Sequence, residues 1–231
     1  MLWHTGTMPI GARSMSGEQP PTLTEWADQR IREAILQGEF GPGDALVIST
    51  LAEQLGLSAT PLREALRKLA SEGLVVLQSH GSARVAEVDL HEANEIYELR
   101  LILEPTALER AVNAGDANYR ERVNAAFAAL GTERLASPSA HTGFHRALLS
   151  TCDSAWLLKL ATMLSDRSGL MLTVGLPSRP SGYNTAEVHR SLKDLAVAGD
   201  AAGAAEELRR HLTKTLAALH VVIGGISNPS S

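Results

Sequence analysis

Apolar residues recur at three- and four-residue spacing from Leu23 onward, through Trp26, Ala27, Ile31, Ala34 and Ile35. That period lays one apolar stripe along a helix, which Gly38 and the turn at 39–44 bring to an end. Leu46 to Ile48 is a short apolar segment. Ser49 or Thr50 then stands where a side-chain oxygen caps a helix carrying Leu51, Ala52 and Leu55, with Gly56 as its stop. Ser58 is placed to cap the next helix. Pro61 lies in its first turn, Leu62, Ala65, Leu66 and Leu69 face inward, and Gly73 ends it. The period then shortens: 74–77 and 83–87 read as two strands of a hairpin around 78–82. From Asp89, a further cap, only the helical period remains. It predicts helices over about 90–113, 117–131, 138–151, 154–174, 184–198 and 200–223. In the first of these, Ile96, Leu99, Leu103, Ala107 and Ala111 share a face. Residues 176–183 read as a loop.

The change of period near residue 88 divides the chain. Residues 1–21, rich in Pro, Gly and Ser, read as a disordered tail, and 225–231 as a second one. Between them lie a winged helix-turn-helix domain over 22–88 and an all-helical domain over 89–224. The expected fold class is mainly α, with an N-terminal winged helix-turn-helix carrying a small β-hairpin and a C-terminal all-α helical bundle. The 231 residues and 44% hydrophobic content suit two packed cores. Cys152 is the single cysteine, which rules out an intrachain disulfide and fits a reducing cytoplasm. The first residues lack the basic flank and apolar stretch of a secretory signal, and no run of about 18 apolar residues occurs. The expected location is therefore cytoplasmic.

The helix, glycine turn and second helix at 51–69 form the arrangement that presents a helix to a DNA major groove. Ser58, Thr60 and Arg63 fall at the polar start of that second helix, where exposed backbone N–H groups also favour a phosphate. Arg67 and Lys68 fit either a phosphate contact or an ordinary solvated face. His80 and Gly81, at the tip of the hairpin, are placed to enter the neighbouring minor groove. Charge bears on this only locally. The chain carries a net −5, and residues 1–85 hold seven basic against nine acidic groups, which argues against a basic nucleic-acid coat. Aromatic content of 4% argues against a single-strand stacking platform. Yet 58–84 holds four basic groups (63, 67, 68, 84) and two acidic ones (64, 72), so the positive field is confined to the recognition helix and wing. One domain alone binds weakly with so few phosphates neutralised, and a dimer on a two-fold site adds two contributions.

The run LeuSerAlaThrProLeuArgGluAlaLeu (57–66), the GluGlyLeuVal at 72–75 and the HisGly turn resemble the winged DNA-binding domain of the GntR family of bacterial transcription regulators. The resemblance covers about 23–87. It implies that Arg63 is the recognition-helix arginine, Thr60 a contact near phosphate or base, Ser58 the capping contact and Gly81 the wing glycine. The chain departs from the family at Ala59 and Ser49, where arginines are usual.

Four of the eight histidines form a pattern. His141 and His145 are one turn apart on one predicted helix, His189 lies on the next-to-last helix and His211 on the last. Imidazoles from separate helices of a bundle can hold one divalent ion. Solvated or capping histidines fit the same spacing. Arg100 lies among Ile96, Leu99 and Leu103, where a guanidinium needs an anion. That anion is either a carboxylate ligand or a Glu of a neighbouring helix. Arg167, on the 154–174 helix, is a second arginine of this type, whereas Tyr97, Trp156 and Tyr183 read as packing residues.

TyrGluLeuArgLeuIleLeuGluPro (97–105), GlyPheHisArgAlaLeu (143–148), His189 with AlaGlyAsp at 198–200, and ArgArgHisLeu (209–212) resemble the FadR C-terminal, or FCD, ligand-binding domain over about 90–223. The resemblance implies a metal held by His145, His189 and His211, beside which a small organic acid binds with an arginine. His141 stands where the family has Asp or Asn. Either it supplies a fourth imidazole, which favours zinc or nickel over manganese, or it swings out. Val188 stands where the family has a Glu beside the second-helix histidine, leaving Glu187 as the nearby carboxylate.

Together these features lead to one expectation: a homodimeric repressor that binds double-stranded operator DNA and is no enzyme. Its affinity would be controlled by a small carboxylate-type effector beside the metal. A metal-dependent hydrolase using the histidine cluster is the alternative chemistry.

Overall fold

The computed structural model describes residues 22–78, 82–131, 138–175 and 185–226. The chain divides into two compact units, Met1–Glu87 and Val88–Ser231. The expected tail at 1–21 and the loop at 176–183 lie outside the described residues, as do residues 227–231 of the tail expected over 225–231, whose first two residues instead continue the last helix.

In the first unit, α1 (Leu23–Leu36) starts at Thr22, whose side chain accepts the Glu25 N–H. Ala27, Ile31, Ala34 and Ile35 are buried, but the first residue of the expected stripe, Leu23, is 64% exposed because it occupies the fraying end. Next come β1 (Ala45–Leu46), α2 (Ile48–Leu55), α3 (Ala59–Ser71), β2 (Val75–Leu77) and β3 (Ala83–Val85). Leu51, Leu62, Leu66 and Leu69 are at most 2% exposed and lie where α2 packs on α3 and α3 on α1. Each such leucine contributes about 1.5–3 kcal/mol by leaving water.

Two local expectations change. The helix α2 begins at Ile48, with Val47 as its N-cap and no side-chain bond there, so Ser49 and Thr50 lie inside the first turn and do not cap it. The apolar pair Val47–Ile48 is spent on helix entry, and burial of Leu51 sets the register. The hairpin is also part of a three-stranded antiparallel sheet of order β1-β3-β2, with Ala45 opposite Arg84 and Val75 opposite Val85. A two-residue strand is too short to show the period-two alternation that marks strands in a sequence.

Between α2 and α3 the chain turns at Gly56 (φ 64, ψ 31), the left-handed conformation that ends helices and that side chains resist. Leu57 N–H then bonds back to the Ala52 carbonyl at 3.1 Å. Ser58 is the N-cap of α3 in extended backbone, but its hydroxyl makes no capping bond.

The second unit is helical throughout the described residues: α4 (Leu90–Asn113), α5 (Ala117–Ala129), α6 (Pro138–Leu149), α7 (Ala155–Gly175), α8 (Thr185–Ala198) and α9 (Ala201–Ile226). Asp89 caps α4 by accepting the Glu92 N–H at 2.9 Å. α4 packs along α9 and α7, α5 along α6 and α8, and α8 along α9. Ile96, Ala107 and Ala111 of the expected α4 face are buried, but Leu99 is 47% exposed. The inward stripe instead runs through Arg100 and Glu104. Trp156, expected to pack, is 72% exposed with Lys159 Nζ 5.0 Å over its ring, because it sits in the first turn of α7. Among the described residues no helix is long and apolar enough to cross a membrane.

Candidate functional sites

The start of α3 presents Ser58, Thr60 and Arg63 to solvent. Arg63 makes no ion pair among the described residues, while Arg67, also exposed, is paired with Glu64 one turn before it. Such a surface pair is worth about 0–1 kcal/mol, so Arg67 can exchange Glu64 for a phosphate at little cost. Lys68 is committed elsewhere: its ammonium donates to Asp28 Oδ2 of α1 at 2.9 Å. On β3, Arg84 donates to the Gly43 carbonyl at 2.8 Å and to Gln78 Oε1 at 3.2 Å, tying the wing strand to the β1 turn. The wing tip residues His80 and Gly81 lie outside the described residues. The positive field of the first unit is therefore narrower than a count of basic residues suggests, with Arg63 at its head.

In the second unit, α6, α8 and α9 bring four histidines together. The candidate ligand atoms of His141, His145, His189 and His211 all lie within 4.8 Å of one another; the last three residues are buried and His141 is half-buried. Ring centroids are 4.6 Å apart for His141–His145, 5.3 Å for His145–His211 and 5.2 Å for His189–His211. The one-turn spacing on α6 and the packing of α8 on α9 produce this convergence. Phe144, fully buried, meets His145 and His189 edge-on at 5.7 and 5.4 Å and closes that side of the cluster with apolar surface.

His145 Nε2 is buried and has no hydrogen-bond partner among the described residues. An orphaned acceptor or donor there costs about 1–3 kcal/mol unless something meets it. Burial holds the His145 imidazole well below its ordinary pKa, with His141, His211, His189 and Arg100 adding to the shift. The ring is thus neutral, the form that ligates a metal. A tetrahedral zinc at about 2.0–2.1 Å from each nitrogen needs donors on the order of 3.4 Å apart. The observed upper limit of 4.8 Å requires only a modest contraction, so the residues fit a divalent ion.

Arg100 is 5% exposed and fully engaged. Its Nε and Nη2 donate to the two carboxylate oxygens of Glu104, one turn on, at 2.5 and 3.1 Å, and its Nη1 donates to Ser168 Oγ of α7 at 2.6 Å. Ser168 Oγ in turn donates to the Tyr97 hydroxyl at 2.8 Å, and the guanidinium lies 4.8 Å over the Tyr97 ring. Burial, the largest influence, opposes the charge on Arg100, but the Glu104 carboxylate and the Tyr97 hydroxyl together outweigh it and raise the pKa. Burial likewise pushes the Tyr97 hydroxyl up, so the phenol stays neutral. Arg167 donates from Nε to Glu92 Oε1 of α4 at 2.8 Å and is also ion-paired to Glu92 through Nη2.

Both arginines expected to receive an effector therefore already have internal carboxylate partners. Arg100 takes its partner from its own helix, not a neighbouring one. Sequence spacing alone does not point to Glu104 or Ser168, and Tyr97, expected only to pack, joins their network. A carboxylate four residues after Arg100, on the face that buries Ile96 and Ala107, is the signal that marks Glu104.

Residues 23–85 match the family described as bacterial regulatory proteins, gntR family, and residues 95–214 match the FCD domain. The chain is 30% identical over 207 residues to the uncharacterized HTH-type transcriptional regulator BphR of Paraburkholderia xenovorans (strain LB400), covering 84% of each chain. It is 32% identical to a probable D-xylose utilization operon transcriptional repressor of Paenarthrobacter nicotinovorans, covering 83% of this chain and 86% of the other. The solved structure of E. coli McbR/YncC shares the fold, with a TM-score of 0.77 at 24% identity over 87% of this chain and 98% of that one. These families and relatives are transcriptional regulators and not enzymes, so the hydrolase alternative is set aside. The chain belongs to the GntR family, with a winged helix-turn-helix followed by an FCD domain, and is a DNA-binding transcriptional regulator.

Proposed function

We propose that this regulator is a repressor that binds a two-fold operator as a homodimer and is released by a small carboxylate-type metabolite. Residues 22–88 act as the DNA-binding domain, and 89–224 as the effector-binding and dimerisation domain. The repressor sense is supported by the relative described as a probable xylose-operon repressor. Ser58, Thr60, Arg63 and Arg67 read or hold DNA from α3, and His80 and Gly81 do so from the wing. Arg63, exposed and without an ion pair among the described residues, is the residue on which sequence reading depends. Loss of a bidentate arginine–guanine contact costs about 1–3 kcal/mol. Arg63→Ala should thus weaken operator binding by about ten- to a hundredfold with the helical content unchanged; unchanged affinity would refute the assignment.

The observation that carries the effector half of the reading is the convergence of four imidazoles in the second unit, with the buried Nε2 of His145 lacking a partner among the described residues. His145, His189, His211 and His141 would hold a zinc- or nickel-class ion. Four neutral nitrogen donors without a carboxylate suit that class better than a harder ion. The bound ion would supply positive charge and an anchor for an anionic ligand. The chain's own part is to keep the His145 imidazole neutral and to present Arg100, whose charge reaches His145. A carboxylate effector engages Arg100 by taking over from Glu104, with Arg167 as a further cation on α7. Such a ligand controls DNA binding only to the extent that it binds the two states of the regulator unequally. Elemental analysis checks the metal: the protein with both His145→Ala and His211→Ala should retain none, and stoichiometric metal in that variant would refute the site.

A further inference from the structure

Four charged side chains tie the recognition helix to the helix behind it. Asp28 of α1 is 5% exposed. It accepts from Arg32, one turn on, at 3.1 and 3.3 Å, and from Lys68 Nζ of α3 at 2.9 Å. Arg32 also reaches across to Glu72, the C-cap residue of α3. Two cross-helix ion pairs thus run in opposite senses, Lys68 to Asp28 and Arg32 to Glu72, four residues apart on both helices. The leucine contacts between α1 and α3 are non-directional and scale with area. Paired charges at two heights have one arrangement in which every partner is met, and an unmet buried charge is costly. They therefore fix both the rotation of α3 about its axis and its slide along α1.

The helical angles separate this role from DNA contact. At 100° per residue, Arg67 lies roughly 40° round the helix from Arg63, and Lys68 roughly 140° away. Lys68 faces α1, and Arg63 and Arg67 face outward.

We infer that Lys68 is a positioning residue for operator reading and not a phosphate contact. Through Asp28, and with the Arg32–Glu72 pair, it sets the angle at which α3 presents Arg63. The inference rests on α3 being the DNA-reading helix.

The test uses the full-length protein with two duplexes. One is selected by the protein itself from a random-sequence library, and the other is a scrambled duplex of equal length. Asp28→Asn and Lys68→Gln should each lower affinity for the selected duplex about tenfold, the size of a lost base contact. Affinity for the scrambled duplex and the salt dependence on both should stay unchanged, and Lys68→Arg should restore specificity. Glu72→Gln, at the more exposed second tie, repeats the test without stripping Asp28, and should lower the selected-to-scrambled ratio in the same way.

A phosphate-contact role predicts the opposite pattern. Lys68→Gln would then reduce the salt slope by about one charge, and Asp28→Asn, by releasing Lys68, would strengthen binding to both duplexes. Either result overturns the inference. So does a drop in urea midpoint with an unchanged ratio in the folded variants, since that is stability alone. An unaffected Arg63→Ala in the same assay would overturn the DNA-reading assignment of α3 and the inference with it.

Discussion

At the scale of single residues, His145 is held neutral within the histidine centre. Burial first, and then His141, His211, His189 and Arg100, keep His145 from taking a proton. In the unfolded chain an imidazole takes one below about pH 6.5. Acid therefore favours the unfolded state. Stability linked to His145 is fully present above about pH 6.5 and falls as the pH drops from there toward the lowered folded value. Urea midpoints of the metal-free protein should decline between about pH 7 and pH 5 on this ground, and His145→Ala should flatten that part of the profile. A wild-type midpoint that rises on acidification would contradict the argument. With a metal bound the decline should steepen, because protons then also compete for the ligands. The histidines themselves are readable from sequence because an i, i+4 pair shares a helix face. Glu104 is harder to read, since its meaning depends on Arg100 being turned inward, which follows from tertiary packing and not from spacing.

At the scale of elements, the turn between α2 and α3 offers a clean measurement. A Cβ placed on Gly56 meets nothing within 4 Å, so a substitution there is opposed by backbone conformation alone. Gly56→Ala should cost about 1 kcal/mol in chemical denaturation, the penalty of a left-handed non-glycine residue. Gly56→Asn should cost less, because asparagine tolerates that conformation. A loss of several kcal/mol would mean that the turn is packed more tightly than the structure shows. The helices were largely legible because their apolar period extends over three or more turns, as in α3 with Leu62, Leu66 and Leu69. What escaped were features shorter than one period. β1 spans two residues, and the start of α2 depends on Val47 entering the helix in extended backbone, although Ser49 and Thr50 are better capping residues by type. Burial of Leu51 decided the register against local capping preference. The inward face of α4 departs from the expected one at Leu99 for a related reason: a face that carries an ion pair, Arg100 with Glu104, does not look apolar in a sequence.

At the scale of the whole molecule, the net charge of −5 excludes only a nonspecific basic surface. Of the four basic residues between 58 and 84, Lys68 is held by Asp28 and Arg67 by the exposed Glu64. One subunit therefore offers Arg63, Arg84 and an exchangeable Arg67, together with the backbone N–H groups at the start of α3. About three phosphates neutralised per subunit give a slope of log affinity against log salt of about −3 on a half-site. If two subunits engage a two-fold operator, the full site should show about twice that slope, and its affinity should exceed that of the half-site far more than a doubling of sites would give. Filter binding or fluorescence anisotropy at several salt concentrations, on half-site and full-site duplexes, measures both quantities. Equal slopes on the two duplexes would mean that one subunit alone does the binding, and the homodimeric operator complex would have to be abandoned. A doubled slope that falls by about a third when Arg63 is replaced would instead locate the same few contacts in each half. That outcome is expected if the DNA affinity of this acidic chain is concentrated at one helix start and multiplied by the proposed two-fold symmetry.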